Sequence, residues 1–227
     1  MEMKVNIWSD IRCPFCYIGM RKFEKALERF PHKEKVEVVW RSFQLDTGLR
    51  TSMGLHSYDY LAKVKGMERE RVVQMHDHVV NVAAEEGLDF NFEHLIVANS
   101  YNAHRLIQLA KVHGLGNEAE EKLFRSHFTE GKNIDDRETL LTIGIELGIN
   151  EREVGEMLAS DKYGDRVKED ERLAKSIGIR GVPFFIMNET LAVSGAQSSD
   201  VFLQALEKAW IEVEKQELPN DAAVIKK

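Results

Sequence analysis

The chain is poor in cysteine: of 227 residues only Cys13 and Cys16 are cysteines. That excludes a disulfide-stapled scaffold. It also argues against a structural zinc site, which needs four ligands. No second Cys-x-x-Cys exists to supply them, and His32, the nearest histidine, lies beyond the following helix. Cationic excess is missing too. The formal net charge of -7 argues against generic nucleic-acid binding. No apolar run approaches transmembrane length, so no membrane partner is expected. Walker A, GxGxxG, GxSxG and HExxH patterns are absent, which removes the corresponding nucleotide, hydrolase and metalloprotease readings.

What remains is concentrated near the start, in Ser9-Asp10-Ile11-Arg12-Cys13-Pro14-Phe15-Cys16. Residues Met3 to Trp8 alternate in the manner of a strand. From Phe15 to Phe30, the residues Phe15, Ile18, Phe23, Ala26, Leu27 and Phe30 recur near one helical face. The cysteine pair therefore sits at a strand-to-helix turn, where Cys-x-x-Cys reads as a dithiol/disulfide site. Pro14 suits the first helical position, where its missing N–H costs nothing. Cys13 is then the N-cap, with its sulfur placed to accept from the N–H groups of Phe15 and Cys16. The helix dipole favours a thiolate at that end by about 0.3–2 kcal/mol, and Arg12 adds positive charge. Cys13 is the expected nucleophile and Cys16, one turn further in, the resolving thiol. A purely structural disulfide is the weaker reading, because so small a ring removes little chain entropy.

At 43% hydrophobic and 30% charged residues, the composition supports one large or two small soluble domains. The N-terminus runs straight into the first strand without an apolar leader, from which a cytoplasmic location is expected. In a reducing compartment a lone Cys-x-x-Cys is catalytic more often than structural.

Val36 to Phe43 reads as a second strand. From Leu45 to about Ser160 almost only helices are expected: 58–64, 68–86, 92–113, 118–128, a helix opened by Asp135-Asp136 and closed at Gly148, and a short one with Asn150 and Glu153 as a capping box. Residues 161–177 read as a charge-balanced, solvated helix. Then come a loop, Gly178 to Pro183, a buried strand, a tight turn at Asn188-Glu189, a hairpin partner at 191–194, and a final helix from Ser198 or Ser199 to about Lys215. The fold class is α/β. Residues 1–44 and 161–216 are expected to form one discontinuous domain, with 45–160 as an inserted helical domain and 217–227 as a flexible tail.

The flanking pattern resembles a thioredoxin fold. Over nearly its whole length the chain resembles the DsbA superfamily of thiol-disulfide oxidoreductases, and within it the FrnE-like branch, related to 2-hydroxychromene-2-carboxylate isomerases and kappa-class glutathione transferases. The resemblance is carried by Trp8 to Gly19, by Asn99-Ser100 with Ala103-His104-Arg105-Leu106, by Gly178 to Phe185, and by Gly195-Ala196-Gln197. It implies that Pro183 follows a cis bond and packs beside the cysteines. Val182 would then present its backbone to an extended substrate segment, with Pro14 and Phe15 as further substrate-binding residues.

Two departures qualify the likeness. Phe15 stands where the bacterial periplasmic oxidase has a histidine that can donate to the thiolate, so a site less oxidising than about -120 mV is expected, nearer roughly -200 to -270 mV. The isomerases and transferases usually carry serine at the position of Cys13.

The expected activity is disulfide exchange on protein or small-molecule substrates, with no tightly bound cofactor or metal and with glutathione or a thioredoxin system recycling the dithiol. A monomer or weak homodimer is expected. Two rivals stand beside this reading. One is a glutathione-dependent isomerase or transferase whose pocket is lined by Asn99, His104 and Arg105. The other is a holdase chaperone using the helical domain. His76-Asp77-His78 is read as a solvated helix rather than a metal cluster, because i,i+2 side chains diverge.

Overall fold

Strand β1 (Met3–Ser9) is buried along almost its whole length because it is an inner strand. It pairs in parallel with β2 (Val36–Ser42), Met3 opposite Val36 through Ser9 opposite Ser42. On its other side it pairs antiparallel with β5 (Phe184–Met187), which forms a hairpin with β6 (Leu191–Ser194). The sheet order is β2-β1-β5-β6. The computed structural model describes residues 2–217, so most of the expected 217–227 tail lies outside the described residues.

Helix α1 (Pro14–Arg29) begins where the sequence places it, with Cys13 as N-cap and Pro14 at the first position. Its apolar stripe packs on the sheet and on α9 (Ser199–Glu217). Phe23 lies 5.5 Å from Phe185 and 5.7 Å from Phe202, a three-ring core joining α1, β5 and α9. Each such ring, once buried, contributes on the order of 1.5–3 kcal/mol. The opposite face is covered by α8 (Gly164–Ser176). There Trp8 packs with Ala174 and Ile179 and donates its indole N–H to the Asp170 carbonyl at 3.1 Å.

The segment between β2 and α8 is mostly helical, as expected: α2 (Ser57–Lys65), α3 (Arg69–Glu85), α4 (Tyr101–Val112), α5 (Gly116–Phe128), α6 (Arg137–Glu146) and α7 (Glu151–Leu158). It also holds a small antiparallel ladder that periodicity did not reveal, β3 (Ser52–His56) with β4 (Ile96–Val97). The helix expected from residue 92 therefore starts at Tyr101. Asn99 Oδ1 accepts from the Tyr101 N–H at 2.7 Å and fixes that start. Ile96 and Val97 satisfy helical and strand patterns equally in so short a run.

Two further expectations are corrected. Asn150 caps α7 by accepting from the Arg152 N–H, but Glu153 reaches His113 at 3.0 Å instead of closing a capping box. The charged helix α8 is not solvated all round. Asp170 is 3% exposed and accepts from Arg41, the Ser42 N–H and Gln108, tying α8 to β2 and α4.

Candidate active site

Cys13 and Cys16 are both present as free thiols at the head of α1. Cys13 is 6% exposed and Cys16 2%. The backbone turn is held by the Cys13 N–H donating to the Asp10 carbonyl and the Cys16 N–H donating to the Cys13 carbonyl, both at 2.9 Å. The Cys13 sulfur makes no capping bond to its own helix, contrary to the expectation from sequence. It turns instead toward the loop before β5, where the thiol donates to the Val182 carbonyl at 3.5 Å. A thiol has a proton to give, and that carbonyl is the acceptor in front of it. Arg12 is also engaged elsewhere, donating to the Tyr60 hydroxyl at 3.0 Å with its guanidinium over that ring.

The Val182–Pro183 peptide is cis. Pro183 approaches α1 closely at Gly19: a Cβ on Gly19 would lie 3.1 Å from the Pro183 ring carbon Cγ. Absence of a side chain there lets the loop dock against the first turns of α1. In front of Val182 and Pro183 is a shallow depression of about 380 Å³, bordered by Arg180, Gly181, Phe184 and Gly195. Phe15, between the two cysteines, is 41% exposed.

Behind the thiols lies a buried polar group. Asp10 and His104 are fully buried, with His104 Nε2 3.6 Å from Asp10 Oδ1. Burial pushes the Asp10 carboxyl up, but His104 and the Leu45 N–H, donating at 2.7 Å, bring it below the usual carboxylate range. Burial likewise disfavours the His104 imidazolium, and Asp10, with Glu120 and Glu171, more than restores it, so this histidine holds its proton more tightly than usual. Glu120 on α5 is 1% exposed, and burial raises its carboxyl to about 8. The Cys16 thiol is pushed well up by burial and by the Cys13 sulfur in front of it.

The three residues expected to line a small-molecule pocket do not do so together. Arg105 is 4% exposed, and its guanidinium is committed to Asn102 Oδ1 at 2.8 Å and to the carbonyls of Lys162, Met157 and Ser160. Four of its five N–H groups are thus engaged around the end of α7, and the buried guanidinium faces its own chain rather than the open substrate contact expected from sequence. His104 faces Asp10 in the interior rather than a cavity. Asn99 borders a groove of about 600 Å³ with Gln44, Leu49, Tyr101, Asp135 and Lys168, yet its amide is occupied by Gln44, Tyr101 and Leu49.

Sequence reasoning did not single out Asp10 or Glu120. A signal for Glu120 exists: Glu120, Leu123, Phe124 and His127 follow helical spacing, so a carboxyl lies on the buried stripe of α5. His76, in the rejected histidine cluster, is buried and stacked on Phe92 with centroids 4.1 Å apart.

The site thus holds a thiol at a helix N-terminus, a second thiol one turn inside, and a proline loop facing the first. Residues 4–207 match the model of the DSBA-like thioredoxin domain. The chain belongs to this family. A probable DsbA oxidoreductase of Streptomyces coelicolor is 39% identical, with a TM-score of 0.87 over 93% of this chain and 91% of that one. The YwbO protein of Bacillus subtilis is 26% identical over 91% of this chain and 96% of its own. The cytosolic disulfide reductase DsbM of Pseudomonas aeruginosa shares the fold at 18% identity, with a TM-score of 0.62 over 94% and 98% of the two chains. A 2-hydroxychromene-2-carboxylate isomerase does so at 17% identity and a TM-score of 0.64, covering 94% and 97%. As a member of this family, the chain is an oxidoreductase-type enzyme of the thioredoxin fold.

Proposed function

We propose that this protein is a FrnE-like thiol-disulfide oxidoreductase in which Cys13 attacks a substrate disulfide and Cys16 resolves the mixed disulfide. The observation that carries the reading is the placement of the Cys13 sulfur between the head of α1 and the Val182 carbonyl, with Cys16 directly behind it. An extended peptide lying along Val182 brings its own disulfide to Cys13, with backbone bonds giving affinity and Phe15 an apolar footing. The site is open and shallow, which favours protein disulfides over an enclosed small molecule. The isomerase rival loses its cationic anchor, since Arg105 is bound to carbonyls of its own chain.

No bound cofactor is required. Glutathione or a thioredoxin system returns the dithiol to its working state, and a solved structure of DsbM with GSH provides a precedent within the fold. A reducing, cytosolic setting fits a lone dithiol, and with Phe15 between the cysteines the potential is placed near roughly -200 to -270 mV.

The test is insulin reduction with dithiothreitol as the electron source. The wild-type protein should accelerate it, and Cys13→Ser should abolish the acceleration. Retention of a glutathione-dependent isomerase activity by the double cysteine variant would replace this reading with its rival.

A further inference from the structure

Cys16 must lose a proton before it can attack, yet it is 2% exposed and so largely cut off from water. The Ser9 hydroxyl, fully buried at the end of β1, neighbours the Cys16 thiol and also the Glu120 carboxyl. Ser9 Oγ and Glu120 Oε2 have no hydrogen-bond partner in the resting dithiol. Buried polar atoms left unpaired are costly and rare, and each needs an explanation. A hydroxyl can accept from one neighbour while donating to the other, so Ser9 is suited to relay a proton between them.

We propose that Glu120, acting through the Ser9 hydroxyl, takes the proton that Cys16 loses when it resolves a mixed disulfide at Cys13, and returns it in the reverse reaction. This rests on the exchange chemistry proposed above. Glu120 is a positioning residue in that chemistry, since it reaches the reacting sulfur only through Ser9. The step balances as follows. The Cys16 S–H proton passes to the Ser9 oxygen as the Ser9 O–H proton passes to the Glu120 carboxylate. Cys16 sulfur bonds to Cys13 sulfur, and the bond between Cys13 and the substrate sulfur breaks. The substrate leaves as a thiolate carrying that electron pair and takes a proton from water. The dithiol is oxidised by two electrons and the substrate disulfide is reduced by two.

The surroundings tune this group. His104 and Lys111 on α4 stabilise the Glu120 carboxylate, while burial and Asp10 oppose it. Asp10 is itself held by His104 and Arg12, and Glu171 on α8 faces the same pair. Two turns further along the same face of Glu120's helix, His127 lies toward Arg12 and Asp10. The resulting value of about 8 lies close to working pH, where a group can both take and give a proton. The helical segment thereby contributes to the chemistry of a dithiol carried on the thioredoxin-like part.

The reduced protein is mixed rapidly with dithiobis(nitrobenzoate). Cys13 releases one coloured thiolate and Cys16 a second, giving two phases. Glu120→Gln is expected to slow the second phase on the order of tenfold or more, leaving the first unchanged. It should also remove a rise in the second-phase rate centred near pH 8. Glu120→Asp should restore part of the rate and the rise, and Ser9→Ala should slow the second phase alone. Should Glu120→Gln fail to fold, Ser9→Ala decides by the same readout. A second phase in these variants within about twofold of wild type, with an unaltered pH profile, overturns the proposal alone. A wild-type protein that releases a single equivalent would remove the exchange reading, and this one with it.

Discussion

The Cys13 sulfur lies 3.5 Å from the Val182 carbonyl oxygen, across 169 residues of chain. This one approach joins the helix that carries the thiols to the loop that faces them. It also gives the two cysteines different surroundings. Cys13 stands at the seam between the two elements, and Cys16 lies behind it with its thiol raised by burial and by the Cys13 sulfur. Iodoacetamide added to the reduced protein at pH 7.5 should therefore label Cys13 first. Peptide mapping that finds Cys16 modified ahead of Cys13 would reverse the assignment.

Gly19 governs how closely the Pro183 loop sits. A Cβ there would meet the Pro183 ring at 3.1 Å and the Ala196 Cα at 3.5 Å. Gly19→Ala demands a shift of a few tenths of an ångström, and Gly19→Val demands more. Misplacement of about 1 Å beside a reacting centre can cost up to roughly a hundredfold. Insulin reduction by Gly19→Val is expected to fall on the order of tenfold, with Gly19→Ala closer to wild type; equal rates for all three would show that the loop's approach is unimportant.

The Arg105 guanidinium is bound to groups of its own chain. Truncation to alanine would leave the Lys162, Met157 and Ser160 carbonyls at the α7 end without their cationic donor. Arg105→Ala should cost roughly 2–4 kcal/mol of stability in urea unfolding. Insulin reduction per folded molecule should change little. A loss of activity without a loss of stability would return Arg105 to the substrate site.

His76 makes stability depend on pH. Burial lowers its imidazolium to about 4, against an ordinary value of 6.5. Between those values the unfolded chain binds the proton and the folded one does not, so stability falls as pH drops from about 6.5 toward 4. His127, lowered by burial to about 3, acts in the same direction. His76→Phe keeps an aromatic ring against Phe92 and Tyr58 and should flatten the pH dependence of urea midpoints in that interval. An unchanged slope would place the acid sensitivity elsewhere.

Local pattern sufficed for much of this protein. Pro14 after Cys13 fixed the start of α1, because a proline at the first turn gives up only an N–H that has no partner there. Val36 to Ser42 could hardly be anything but a strand, and Asn188-Glu189 turns between β5 and β6 with φ of 47° and 59°. The dithiol itself was legible for the same reason, since its chemistry depends on four consecutive residues and the helix they open. What depended on long-range packing was not. Ile96 and Val97 became β4 only because Ser52 to His56 lay alongside. Asp170 sat in a helix whose charges balance along the chain, and only the docking of α8 on β2 and α4 buried it. Arg105, Asp10 and Glu120 carry the same lesson. A charged side chain's role is set by the partners that folding brings to it and by the water it loses, and neither is encoded in its immediate neighbours.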